Sequence, residues 1–319
     1  MSLFARPFST SIGLLADRYL GEPPIDPHPI AAFATLLIGL ERRVYDDSRG
    51  AGVVHAGLGI GAGVGAGYVV GSPALATYLA VAGRALGEAA LEIAEALALD
   101  DLESARARLP ALVGRDPSRL DEHEIVRAAV ESVAENTTDA VVAPALWSLI
   151  AGAPGALGYR ATNTLDSMVG HHSARYEHFG WASARADDVA NWVPARATAA
   201  LVMLARPRRA RAIWRVVRDD APAHPSPNSG VAEAAFAAAL GLRLGGINTY
   251  GDRIEVRARL GRGRDAEPGD IAAAVRLLDD VQVLLALVLL VTGSLEGLAA
   301  LGRLGWQTQR RRSRRRRAR

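Results

Sequence analysis

Apolar positions along the chain form two kinds of pattern. The first is the long uncharged run. Residues 51–71, AGVVHAGLGIGAGVGAGYVVG, carry no charge and only His55 as a clearly polar side chain. About 20 apolar residues cross a bilayer as a helix, so this run predicts a membrane span. Glycine at 57, 59, 61, 63, 65 and 67 gives overlapping G-x-x-x-G pairs, which let helix backbones approach closely in lipid. No G-x-G-x-x-G pattern occurs in it, which excludes a dinucleotide loop there. Pro73 breaks the chain and 74–83 is apolar again, so a hairpin of two membrane helices is expected. Residues 281–301, VQVLLALVLLVTGSLEGLAAL, read as a last span. Residues 141–159 are apolar but interrupted by Pro144, Pro154 and glycines, as in a re-entrant or broken helix whose backbone lines a cavity.

The second pattern is helical alternation. Residues 30–45 and 84–135 place Ala, Leu, Glu and Arg at the spacing of amphipathic helices, the latter facing solvent. Residues 21–29, GEPPIDPHP, hold four prolines and cannot be helix. The arginine-rich runs at 205–218 and 310–319 predict cytoplasmic surfaces. Strand signals are weak. The expected fold is all-α: a polytopic helical membrane protein with broken or re-entrant helices and cytoplasmic amphipathic helices. Residues 1–309 would form one membrane-embedded domain and 310–319 a disordered arginine tail.

Composition sharpens this. The chain has 319 residues, and its mean hydropathy of +0.10 is high for a soluble protein. It contains no cysteine, which excludes disulfides, thiolate metal sites and Cys nucleophiles. All 37 of its basic side chains are arginine. Without lysine there is no Walker A loop and no Schiff base to pyridoxal phosphate. The formal charge of +3 comes from the tail. Residues 310–319 hold eight arginines, and the other 309 residues carry 29 cations against 34 carboxylates. An acidic body argues against nucleic acid as a partner, and a basic tail that follows an apolar segment favours contact with anionic lipid.

Polar residues gather in three segments that are otherwise apolar or small. In the first, Glu131, Glu135 and Asp139 fall at i, i+4 and i+8 on one helical face, a stack suited to a divalent cation such as Mg²⁺. The second, 159–188, places Arg160, Asn163 and Asp166 or Ser167 on one face, with the adjacent His171 and His172 beyond. It ends in Arg185, Asp187 and Asp188, and Asp187 pairs with Asn191 at i+4. Arginine suits phosphate and Asp–Asn pairs suit Mg²⁺. In the third, 219–233, three prolines make a rigid turn that presents His224, Ser226 and Asn228. A helix follows near Val231 with Asn228 or Ser229 as its N-cap, and a helix N-terminus favours anions. No G-x-S-x-G and no H-E-x-x-H occurs, which leaves metal-assisted phosphate chemistry as the best match.

These stretches resemble a known family. ESVAENTTDAVVAPALW, GYRATNTLDSMVGHHSARYEHFGWASARADDVANWVPAR and DAPAHPSPNSGVAEAA, with LLADRYLGEPP near the start, are similar to the CbiB/CobD family of adenosylcobinamide-phosphate synthases. The resemblance runs from about residue 12 to about 305. It implies a multi-pass protein of the inner (plasma) membrane in cobalamin biosynthesis. The implied reaction is ATP-dependent amide formation joining adenosylcobyric acid to aminopropanol or its O-phosphate, with ATP as substrate, Mg²⁺ as metal and no covalent cofactor. Further partners it implies are lipid, a second copy of the chain or late-pathway membrane enzymes. Within that scheme the expected roles are catalysis by Glu135, Asp166 and Asp187, and metal binding by Glu131, Glu135, Asp139 and Asp188. Substrate and phosphate would be bound by Arg160, Asn163, His171, His172, Arg185, His224 and Asn228. Where the family carries lysines after Met-Val-Gly and near position 223, this chain has histidine and alanine. The alternatives are a non-enzymatic membrane sensor of the related AmpE-like type and a cation transporter using the acidic stripe.

Overall fold

The computed structural model describes residues 6–114, 117–171, 173–250 and 253–317, with backbone only at 247–256 and from 296 on. The helices are α1 Arg6–Leu20, α2 Pro29–Val44, α3 Arg49–Val70, α4 Pro73–Ala80, α5 Gly83–Ala98, α6 Leu102–Arg108, α7 Glu122–Thr137, α8 Ala143–Ala151 and α9 Ala153–Leu165. They continue as α10 Trp181–Ala205, α11 Ala210–Asp220, α12 Ser229–Leu240 and α13 Pro268–Arg317. The fold is predominantly helical. It departs from all-α in one antiparallel hairpin, β1 Leu244–Tyr250 and β2 Arg253–Leu260.

The core forms around α7 and α12. α7 begins with a capping box, Asp121 and Glu124 each bonding the other's backbone, and then buries every residue from Ile125 to Ala134. The expectation of solvent-facing helices over 84–135 therefore fails at α7, which α5, α12 and α13 cover. α12 is apolar apart from Ser229 and Glu233, and buries Gly230–Ala239, as a helix enclosed by others does. α1 packs on α13 and α4. Buried Asp17 ties these elements together, accepting from Gln282 Nε2 at 2.8 Å and from the Arg84 backbone at 3.2 Å.

A second layer pairs α3 with α9. A Cβ at Gly63 would lie 2.5 Å from Ala161 Cβ, so glycine here is what lets the two backbones meet. Gly57, Gly61 and Gly65 face open space, and only one of the two glycine faces is used. The interruption predicted within 141–159 is a break at Gly152, φ +69°, between α8 and α9.

Among the described residues α3 is the one helix long and apolar enough to cross a membrane. Only 28% of its apolar window is buried, and Val53, Val54, Leu58 and Val69 are exposed. The polytopic expectation thus reduces to one span candidate. α4, the expected return helix, has eight residues and is too short to cross. The predicted span 281–301 lies within α13, whose Leu287, Val288, Val291 and Leu295 are exposed. α13 continues without a break through 309 and 310 to Arg317.

Candidate active site

The three polar segments meet at a cleft of about 930 Å³. A second lobe of about 510 Å³ adjoins it and shares Glu135, Asp166, His171 and Arg257. Two carboxylates reach the cleft from irregular helix ends. α7 runs into a π-helical turn, Thr138–Val142, and α9 into another, Asp166–Gly170. Such a turn widens the helix by one residue and swings the following side chains to a new face, a device common at functional sites. Asp139 and Asp166 stand in these turns, while Asp187, Asp188 and Asn191 arrive on α10. His224, Ser226, Asn228 and Ser229 come from the proline turn and the start of α12.

Hydrogen bonds fix the wall. The Tyr159 hydroxyl donates to Asn191 Oδ1 at 2.9 Å and reaches Asp139 Oδ1 at 3.3 Å. Asn191 Nδ2 donates to Asp187 Oδ2 at 2.9 Å, and Asp187 Oδ1 is enclosed without a hydrogen-bond partner. Glu135 Oε1 accepts from Ser229 Oγ at 2.6 Å. Burial, with the mutual repulsion of these acids, raises their pKa values. Burial, then the charges of Asp187, Asp188 and Glu135, pushes the Asp166 carboxyl up to about 7. Burial likewise pushes Asp187 up to about 6, against the lowering effect of the neighbouring Asn191 and Asn163 side chains. Asp139 is raised well above the usual carboxylate range by burial and then by Asp187 and Glu135.

Glu135, Asp139, Asp166, His171, Asp187, Asp188, His224 and Asn228 all line the cleft. Asn163 is outside the lining, though its side chain acts on the Asp187 carboxyl. Other expected residues stand elsewhere. Glu131, 4% exposed, turns to the hairpin: it accepts the Gly245 N–H at 2.8 Å and lies 3.8 Å from Arg127. The straight acidic stack is therefore split, because packing of the hairpin claims one end of it. Arg160 is outside the lining; its charged neighbours include Asp139, Glu22 and Asp17, and burial lowers its pKa. Arg185 is exposed and pairs with Asp188 at 3.2 Å. His172 lies outside the described residues.

Two lining residues are tied into the wall. Ser226 N–H donates to His224 Nδ1 at 3.1 Å, and Nε2 lies 3.5 Å from buried Glu233. Burial foremost, and also the nearby Arg257 charge, hold this histidine below its ordinary range, while Nδ1 also lies 3.2 Å from the Ser226 carbonyl oxygen. Asn228 stands at the N-cap of α12 without capping it. Its amide donates to Asp188 O at 2.8 Å, and its Oδ1 accepts from Arg196 at 3.2 Å. Sequence reasoning missed Arg257 and named Ser229 only as a candidate N-cap. Arg257 lies in RIEVRARL, whose alternation at Ile254, Val256 and Ala258 was the available strand signal.

Among the described residues no three His, Asp or Glu side chains are grouped closely enough to hold a metal ion alone. The donor set still fits a hard cation. Asp187 Oδ1 is an enclosed oxygen without a hydrogen-bond partner, and Mg²⁺ characteristically takes one or two carboxylates together with water and phosphate oxygens.

Fold and cleft together define a helical protein with a preformed acidic cleft, set beside a helix pair whose outer face suits lipid. The CobD/Cbib protein family matches residues 10–278, and the chain belongs to that family. A cobalamin biosynthesis protein CobD of Mycobacterium tuberculosis is 46% identical over 284 residues, covering 85% of this chain and 90% of the relative. The proteins of the same description from Geobacter metallireducens and Halalkalibacterium halodurans are each 43% identical, over 86% and 79% of this chain and 93% and 85% of their own lengths. No solved structure matches the chain.

Proposed function

We propose that this chain, a member of a cobalamin-biosynthesis family, forms an amide between the carboxylate of (adenosyl)cobyric acid and aminopropanol or its O-phosphate, with ATP activating the acid. The observation that carries this reading is the convergence of Glu135, Asp139, Asp166, Asp187 and Asp188, from sequence-distant segments, on one cleft.

Amide formation from a carboxylate and an amine is uphill in water. Transfer of the γ-phosphoryl group of ATP to a carboxylate oxygen releases ADP and gives an acyl phosphate. The amine nitrogen then attacks the acyl carbon and phosphate leaves. This sequence needs no protein nucleophile. Asp187, with Asp188, Asp139 and Glu135 around it, would hold Mg²⁺, which when bound offsets phosphate charge. Asp166 borders both lobes and is placed to take the proton that the ammonium group must lose before attack. The Tyr159–Asn191–Asp187 bonds hold one carboxylate in a fixed orientation, and Ser229 does the same for Glu135.

The apolar outer face of α3 supports membrane residence. A cation transporter would need carboxylates on the spanning helix, and α3 carries none. A sensor without chemistry has no use for the convergence of Asp166 and Asp187.

The test is to supply adenosylcobyric acid, ATP, Mg²⁺ and aminopropanol O-phosphate, or free aminopropanol, to membranes containing the protein. A new corrinoid amide by mass spectrometry is expected. Its absence above an empty-vector control overturns the reading.

A further inference from the structure

The described lining of the larger cleft sets five carboxylates against one guanidinium, that of Arg257 on β2. Its position follows from an irregular backbone. Gly245 and Gly246 have φ of +78° and +113°, conformations that side chains other than glycine resist, and the pairing register shifts between Leu244 and Gly246. This bulge is gripped from the core: Arg127 donates to Gly245 O at 2.8 Å while Glu131 accepts from Gly245 N. Across the ladder, Gly246 pairs with Arg257. The buried Arg127–Glu131 pair thus sets the register that delivers Arg257 to both lobes.

Arg257 also stands beside the His224 loop, next to the start of α12. Asn228 and Ser229, at that helix start, line the same cleft, so the positive end of a 12-residue helix and a guanidinium share one neighbourhood. A simple carboxylate ligand would meet five like charges here. A phosphate brought in with a divalent cation brings its own neutralisation.

We propose that Arg257, carried to the cleft by the Gly245–Gly246 bulge, binds a phosphate group of a substrate opposite the carboxylate wall. This deepens the ligase reading by naming the side chain that receives a phosphate. That phosphate comes from the nucleotide or from aminopropanol O-phosphate.

The experiment uses the full chain in detergent, with inorganic pyrophosphate and Mg²⁺ as the probe in calorimetry. Arg257→Ala weakens binding about tenfold or more, the loss of a charge-assisted bidentate contact. Arg257→Lys restores part of it, and Arg259→Ala, at an exposed position outside the cleft, leaves it unchanged. No binding by the wild type, or equal binding by Arg257→Ala, overturns the proposal. Kinetics then separate the sources. A raised KM for ATP alone in Arg257→Ala assigns the nucleotide. A raised KM for aminopropanol O-phosphate, with that for free aminopropanol unchanged, assigns the amine substrate. A fall in kcat with every KM unchanged overturns the assignment. If the wild type binds pyrophosphate through Arg257 yet makes no amide, the ligase reading fails and the anion site stands.

Discussion

Asn191 Nδ2 donates to Asp187 Oδ2 at 2.9 Å, while the other oxygen of the same carboxylate, Oδ1, is enclosed with no hydrogen-bond partner. One oxygen is oriented by the protein and the other is left for a ligand. An enclosed carboxylate oxygen without a donor is unfavourable, so a cation at this point repays more than it would at a solvated acid.

Asp187→Asn is accordingly expected to lower kcat/KM for amide formation by about 100-fold or more, equivalent to about 2.7 kcal/mol of transition-state stabilisation. It should also abolish the rise in unfolding midpoint that Mg²⁺ gives the wild type. Retention of that Mg²⁺-dependent rise would remove Asp187 from the cation site.

Asp166 gives a pH signature. Its folded value of about 7 stands above the ordinary 3.8. Between these values the folded chain keeps a proton that the unfolded chain releases. The group's contribution to stability therefore falls as pH rises through this window and is level above it. Metal-free Asp166→Asn should melt about 2–4 °C above the wild type at pH 8, with the gap closing as pH falls toward 4. A gap that stays constant with pH contradicts the assignment.

The hairpin grip is separable from the chemistry. Arg127→Met leaves Glu131 buried beside Gly245 without its arginine, and breaking such a buried pair costs about 3 kcal/mol. Chemical denaturation should show this loss. Arg243→Met, which removes an exposed pair with Asp265, should change stability by less than about 1 kcal/mol. Equal effects would mean that the grip carries no special weight.

The two glycine faces of α3 should respond differently. Gly63→Val forces a side chain into Ala161 and the Leu157 carbonyl, and overpacking of this kind costs about 1–3 kcal/mol. Gly61→Val meets open space and should leave the melting temperature in detergent nearly unchanged. A reversed order would place α9 on the other face.

The exposed side chains Val53, Val54, Leu58 and Val69 on α3, with Leu287, Val291 and Leu295 on α13, predict retention in the membrane pellet after an alkaline wash. Recovery of the chain in the wash supernatant without detergent would show that these faces meet protein instead.

The amino-acid order alone makes legible which segments bring polar side chains to the cleft. Carboxylates and amides set among valines and alanines at 131–139 and 159–191 are costly to bury without a purpose, and that cost is legible residue by residue. The helical character, the break within 141–159 and a close helix approach at the glycines of α3 were legible for a similar reason, since each depends on local residue type, whereas which glycine face makes the contact was not. Tertiary structure alone decided which acids face the cleft. Glu131 and Glu135 are one helical turn apart and look equivalent in the sequence, but the hairpin takes the first and Ser229 binds the second. Only the fold distinguishes Arg257 among the many arginines of its region. A side chain's reach is local, but the partner it meets is set by which distant element packs against it.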